Sequence, residues 1–342
     1  MKKHWNLLLL SFLVTITACT PPSQVPSPQA VIFETDMGND IDDAMALDLL
    51  FKNMDQGKIN LLGIGVHKNN PYSQEYIDIM RCWYGYENTP IGVNTACVTD
   101  TNCVDYCTKT CLMKDESGQP LFVRSKHPNY EEAVPMYRRL LSGQKDQSVV
   151  IITVGFSTTI SQLLDSQPDS YSPLNGRDLV AQKVKYFSIM AGEFILEDFA
   201  EYNVTNDIEA AKKLFETSPV PMVYTPWSIG EQIHYPGKSI AEDFNWGRPH
   251  PMVEAYKHYL KMPYDRPTWD IIAAYYACNP EAAKITISKP GEIQVTDKGV
   301  TLFMPDTNGK SRYLTATPEQ TQEILNDFIQ TLTSKPLSLK EK

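Results

Sequence analysis

Short apolar runs recur along this chain, and each is followed by a polar turn and then by a stretch with helical periodicity. The runs are VIF at 31–33, NLLGIGV at 60–66, SVVIITV at 148–154, VKYFSIM at 184–190 and VPMVY at 220–224. Their near-continuous apolar character is that of strands covered on both faces. The helical stretches are AMALDLLFK at 44–52, QEYIDIMRCWYG at 74–85, TISQLLDS at 159–166, then 208–215, 251–259 and 270–278, the last stopped by Asn279-Pro280. Strands alternating with helices build a parallel sheet with a helical layer on each face. Pro221 puts the start of the fifth strand at the sheet margin, because proline cannot donate to a ladder. The tail changes character: 285–304 reads as hairpin, and 317–331 as a closing helix with Thr317 as its cap. The expected architecture is a single α/β domain over 31–342, with a mostly parallel central sheet flanked by helices and a C-terminal hairpin and helix.

Residues 1–18 read as a lipoprotein signal peptide. Lys2, Lys3 and His4 precede apolar residues 7–10 and 12–14, a stretch too short to span a bilayer. Ile16-Thr17-Ala18-Cys19 resembles a bacterial lipobox, which makes Cys19 the acylated first residue of the mature chain. Residues 19–30 then form a flexible tether rich in Pro, Ser and Gln. The expected location is the bacterial cell envelope, with attachment to the membrane through the lipid on Cys19.

A net charge of −10, with no dense Lys/Arg patch, argues against a nucleic-acid polymer as partner. Cys97, Cys103, Cys107 and Cys111 crowd one segment, and in an oxidising compartment they are expected to form two local disulfides, with three connectivities open. Zinc is the weaker reading, since no CxxC is present. Cys82 and Cys278 are expected to be buried thiols.

Glu34, Asp36, Asp40, Asp42 and Asp43 fall within ten residues, directly after the first apolar run. In an open α/β sheet that is where reacting groups gather, beyond the carboxyl ends of the strands. Residues 68–70, 154–157, 190–192 and 225–228 follow later runs and are the loops expected to converge with it. Carboxylates this dense repel one another unless a cation relieves them. Calcium, which takes six to eight oxygen ligands, suits such a donor set. Asp42 and Asp43 would also suit a helix start in a protein with no site at all, but that leaves Asp36 and Asp40 unexplained. An EF-hand is a poor match, because the segment lacks the central Gly and terminal Glu at the required offsets.

TDMGNDIDDAMAL (35–47) resembles the amino-terminal signature of the nucleoside hydrolase family, DTDPGxDDAxAL. Glu34 stands for the first aspartate, Met37 for the proline, and the loop through Asn39-Asp40-Ile41 is two residues longer. VIITVGFSTTISQLL (150–164) resembles the family's TGPLTNLA segment, FSIMAG (187–192) its strand ending in MGG, AEYNVTNDIEAAKKLF (200–215) its AEFNxxxDPEAA, and PTWDIIAAYYA (267–277) the helix beginning HDPLA. The resemblance implies calcium held by Asp36, Asp43, Asp270 and the Val154 carbonyl, with Asp36 also the catalytic base. It implies substrate contacts from Asp42, Asn69 or Asn70, Glu201 and Asn203; Met190 and Trp269 join them as substrate-binding candidates from their positions, with Asp40 a further candidate. The implied reaction is hydrolysis of the N-glycosidic bond of a ribonucleoside, a small-molecule substrate, to base and ribose.

Trp269 stands where the family carries the histidine of HDPLA, and indole cannot deliver a proton to a leaving base. His67 and His234 are the histidines to test for that task, and Trp227 and Trp269 are candidates to stack on a base. EFILEDF (193–199) replaces a Gly-Asn-containing stretch, so Glu193, Glu197 or Asp198 would substitute for the missing asparagine. Two other readings stay open: hydrolysis of another pentosyl or glycosidic substrate, or a non-catalytic, metal-dependent sugar- or nucleoside-binding lipoprotein. A dehalogenase-like phosphatase is weaker, since its nucleophile would fall on Glu34. A homo-oligomer is also left open.

Overall fold

The computed structural model describes residues 1, 27–68, 70–97, 104–126, 128–281 and 284–339. Residues 2–26, with the signal peptide, Cys19 and most of the tether, and Asn69 and Cys103, lie outside the described residues. Among the described residues, no helix is long and apolar enough to cross a membrane.

The strands in chain order are β1 (Gln29–Thr35), β2 (Ile59–Val66), β3 (Ile91–Val93), β4 (Tyr130–Glu132), β5 (Val149–Thr153), β6 (Val184–Met190) and β7 (Met222–Thr225). A small ribbon pairs β8 (His234–Tyr235) with β9 (Arg266–Pro267), and the tail adds β10 (Thr286–Ile287), β11 (Gly291–Val295), β12 (Thr301–Pro305) and β13 (Ser311–Thr315). The main sheet is ordered β12-β11-β13-β7-β6-β5-β1-β2-β3-β4, with β10 beside β13. From β4 across to β13 every pairing is parallel. The mostly parallel, doubly covered α/β sheet expected from the sequence is therefore present. After β1 the chain builds β2, β3 and β4 to one side, then returns to build β5, β6 and β7 on the other, so β1 and β5 flank a topological switch point whose crevice opens at their carboxyl ends.

Alternation along the strands divides the interior into two cores. Val31, Phe33, Val150 and Ile152 point to one face, against the helices Asp42–Asp55, Pro71–Tyr84 and Asp270–Cys278. Ile32, Val149 and Ile151 point to the other, against Ala133–Ser142, Thr158–Asp165 and Ile208–Thr217. The helix Pro318–Leu332 closes the first core. Thr317 caps it with Pro318 in the first turn, as expected from the sequence, and Gln320 adds the reciprocal bond of a capping box.

Three local expectations need correction. Pro221 does not mark a margin: β7 starts one residue later and lies between β6 and β13, while the Pro221 carbonyl accepts from the Phe187 N–H at 3.0 Å. The tail does form the β11/β12 hairpin, but it also sends β13 back alongside β7, extending the parallel sheet. Cys97 and Cys111 carry unbridged thiols, and two bridges within that four-cysteine cluster would use both, so the expected pair of disulfides does not form. Cys111 is instead packed in the core with its Sγ 3.7 Å from the Tyr72 carbonyl, and burial pushes its thiol up to about 12.

Arg138 provides a structural control remote from any expected site. Its buried guanidinium holds both oxygens of Asp169, the Ser166 hydroxyl and the carbonyls of Ser172 and Leu174, and so shapes the loop before the helix Gly176–Lys183. Arg138→Met is expected to cost about 3 kcal/mol. The check is the urea midpoint, with any activity of the folded protein unchanged.

Candidate active site

A cavity of about 540 Å³ opens at the carboxyl ends of β1, β5 and β6. Asp36 reaches it from the end of β1, and Asp42 and Asp43 reach it from the first turn of the helix that follows. Asp270 arrives from the first turn of the helix Asp270–Cys278, Val154 from the end of β5, and Met190 from the end of β6. Glu201 and Asn203 flank Tyr202 at the start of a one-turn helix, and Trp269 completes the wall beside Asp270.

The carboxylates are buried: Asp36 is 3 % exposed, Asp42 and Asp43 each 1 %, and Asp270 5 %. Removal from water, and then the fields of the neighbouring aspartates, push Asp42, Asp43 and Asp270 well above the usual carboxylate range. Burial likewise raises Glu201 to about 7, against the hydrogen bonds its carboxylate accepts from the N–H groups of Asn203, Gly192 and Val204. Asp42 Oδ2 accepts from the N–H groups of Trp269 and Asp270, both at 2.9 Å, which ties the first helix to the last wall of the site.

Hard oxygen donors under mutual repulsion are the chemistry a divalent cation relieves, and the buried Asp43 Oδ2 has no hydrogen-bond partner among the described residues. The donor types therefore fit such an ion. Several of them are engaged by protein groups: Asn39 donates to Asp36 Oδ2 at 2.7 Å, the Thr35 hydroxyl donates to Asp43 Oδ1, and Asn203 donates to the Val154 carbonyl at 3.1 Å. In keeping with this, no set of three His, Cys, Asp or Glu side chains among the described residues is arranged as a metal cage.

Other expected residues lie elsewhere. Asp40 touches the cavity, but both its oxygens are held by Arg266, whose guanidinium sits over the rings of Tyr259 and Trp269, 5.1 Å from each centroid. Asn70 does not line the cavity; its side chain caps the helix Pro71–Tyr84 through the Tyr72 N–H. Glu193 is 1 % exposed and accepts from the N–H groups of Phe194, Ile195, Leu196 and Ser228, so it organises its own loop and has no free oxygen for a sugar. Trp227 packs its ring against Phe199, tilted by 33° with centroids 4.7 Å apart, and accepts at its carbonyl from Trp269 Nε1. His234 is exposed on β8, and His67 is wholly buried behind the site; neither faces the cavity.

Sequence reasoning missed Asn39, Tyr202, Tyr259 and Val104 as lining residues. Tyr202 could have been found, since it lies between two residues already singled out. Asn39 lies in the two-residue insertion and bridges Asp36 and the Tyr202 hydroxyl, 3.0 Å away. Val104 comes from the Cys-rich insertion. Its neighbour Tyr106 accepts from the Gly38 N–H and donates to the Asp40 carbonyl, clamping the acidic loop where Gly38 takes φ +112°.

A family model described as inosine-uridine preferring nucleoside hydrolase matches residues 31–327. Solved structures with the same fold include a plant nucleoside hydrolase (18 % identity, TM-score 0.65, covering 90 % of this chain and 100 % of that one). A purine-preferring ribonucleoside hydrolase from Gardnerella vaginalis superposes with TM-score 0.70 at 14 % identity, covering 89 % and 98 %. An inosine-uridine preferring nucleoside hydrolase from Bacillus anthracis gives 0.63 at 14 %, covering 89 % and 99 %. A sequence comparison with curated proteins gave no match.

Proposed function

The chain belongs to the inosine-uridine preferring nucleoside hydrolase family, and from that premise we propose that it is a calcium-dependent hydrolase of ribonucleosides, releasing the free base and ribose. The observation that carries this reading is the convergence of four buried aspartates from two distant parts of the chain on one cavity. Asp36, Asp43, Asp270 and the Val154 carbonyl would hold the ion, which when bound offsets the carboxylate repulsion and offers places for two neighbouring ribose hydroxyls.

Asp36 is assigned as general base: it orients a water toward the anomeric carbon and takes its proton as the C–O bond forms and the C–N bond breaks, while the departing base keeps the bonding pair and takes its proton from solvent. Asp42, fixed by two backbone N–H groups, binds a ribose hydroxyl. Glu201 and Asn203, which line the same cavity, hold the sugar. An oxocarbenium-like state carries positive charge, so a strongly anionic pocket stabilises it more than it stabilises the neutral nucleoside. Trp269 is assigned to the leaving base as a stacking surface, with Tyr259 nearby. The envelope location and the lipid on Cys19 belong to the same proposal and rest on the sequence of residues 1–19 alone.

A panel of purine and pyrimidine nucleosides, incubated with and without EDTA, tests the reading through release of base and reducing sugar. Calcium-restored release is expected; tight nucleoside binding with no release would identify a binding protein instead. Trp269→Ala is expected to raise KM by about 5- to 100-fold, since stacking on one base is worth about 1–3 kcal/mol. The KM of a nucleoside hydrolysed by the wild type checks it.

A further inference from the structure

Glu34 and His67 are both fully buried and lie outside the cavity, yet they connect the three strand ends that build it. His67 Nδ1 is 2.5 Å from Glu34 Oε1, and its Nε2 accepts from the Phe156 N–H at 2.9 Å. An accepting Nε2 puts the ring proton on Nδ1, which donates to Glu34. Glu34 stands two residues before Asp36, and Phe156 two residues after Val154. The backbone is tied in the same way: Val154 N–H donates to the Glu34 carbonyl at 3.0 Å, and His67 N–H to the Thr35 carbonyl at 3.2 Å. Gly155 completes the arrangement. A Cβ there would lie 2.6 Å from His67 Nε2 and 2.8 Å from Asp36 Oδ1, so only glycine lets the imidazole, the turn and Asp36 approach this closely.

We propose that the Glu34–His67 pair is a positioning device for the reaction: it fixes the turn 154–156 relative to the end of β1, and so sets the Val154 carbonyl against Asp36. This rests on the functional reading above. Any buried imidazole must satisfy both nitrogens; what sets this one apart is that its two partners, Glu34 and the Phe156 N–H, lie on two different strand ends, two residues from Asp36 and from Val154. Partners behind ligand groups of this kind are worth about 10- to 100-fold in ion affinity or turnover.

The two links separate by substitution in the full chain. Asparagine presents its amide where Nδ1 lies, so His67→Asn keeps the hydrogen bond to Glu34 and loses the Phe156 anchor. Glutamine reaches the place of Nε2, so His67→Gln keeps the anchor. Calcium affinity by calorimetry on the folded protein and kcat for base release are read together, beside the melting temperature. His67→Asn is expected to weaken calcium binding and lower kcat by about 10- to 100-fold, with His67→Gln, which keeps the anchor but loses the hydrogen bond to Glu34, falling between it and wild type. A purely structural role would lower the melting temperature of both variants and leave calcium affinity of the folded molecules alone. Glu34→Gln serves where His67→Asn does not fold, and is expected to lose about 10-fold in both readouts through a weaker hydrogen bond. A folded His67→Asn, or in its place Glu34→Gln, within about threefold of wild type in both overturns the proposal. If the wild type itself neither binds calcium nor releases base, the functional reading falls and this inference with it; wild-type calcium binding without turnover leaves the affinity comparison to decide the inference alone.

Discussion

Asp36→Asn is expected to lower kcat for nucleoside hydrolysis by about 10²- to 10⁴-fold at saturating calcium, the range removed with a positioned general base. The substitution is isosteric, so the cavity keeps its shape, and the Asn39 and Tyr202 contacts that surround the position in the wild type remain geometrically possible. What is lost is the capacity to take a proton from the attacking water. Melting temperature in EDTA should not fall, because one member of a repelling buried cluster has lost its charge. Turnover within about 10-fold of wild type would move the base elsewhere, and Glu201, which lines the same cavity and is raised to about 7 by burial, would be the first residue to examine.

Asp43→Asn should move stability in opposite directions with and without the ion. In the ion-free protein, Asp43 is raised by burial first and then by Asp36 and Asp42, so its charge opposes folding. The folded state holds protons that the unfolded state gives up. The stability of such a group is intact below its ordinary value near 3.8 and is lost as pH rises through the raised folded value. Glu201 behaves the same way between 4.5 and about 7. Ion-free wild type should therefore lose stability as pH rises from about 5 to 8, and Asp43→Asn should flatten part of that slope. At neutral pH in EDTA the variant should be more stable by at least about 1 kcal/mol, or about 1–2 °C in Tm for a domain of this length. Calcium at about 100 times its dissociation constant should stabilise the wild type by about 2.7 kcal/mol and the variant far less. Thermal melts at two pH values, with EDTA and with calcium, check all of these. An Asp43→Asn protein less stable than wild type in EDTA would mean that the cluster is held together by hydrogen bonds such as the one from Thr35, and is not under electrostatic strain.

How much of this was legible in the sequence depended on the length scale of each signal. β1, β2, β5 and β6 stood out because strands buried on both faces are apolar at nearly every position. β3 and β4, with three residues each, are too short to carry any periodicity, and β13 could not be seen to pair with β7 because parallel pairing at long range leaves no local mark. The acidic loop was visible as composition, but its internal division was not. Asp40 and Asp42 look alike in ETDMGNDIDD, and only Arg266, distant in the chain, distinguishes them by holding both oxygens of Asp40 at the edge of the cavity. Glu193 is a sugar-ligand candidate because its loop lacks an asparagine, whereas three consecutive N–H groups fold back on one of its oxygens and the Ser228 N–H holds the other, which gives it the task of fixing its loop against the start of the helix Trp227–Gly230. The cysteines misled for a related reason: their spacing suggests bridges, but Cys111 faces the core beside Tyr72.

A crystal of the ion-free protein soaked in calcium gives the most direct test of the central claim, that one ion is shared by the end of β1, the start of the first helix and the residue after Trp269. The expected result is a single peak about 2.3–2.6 Å from oxygens of Asp36, Asp43 and Asp270 and from the Val154 carbonyl, with Asn203 and Asn39 turned from their present acceptors. Absence of any density among those four groups at saturating calcium, or a peak bound only by Asp40 and its neighbours, would contradict it.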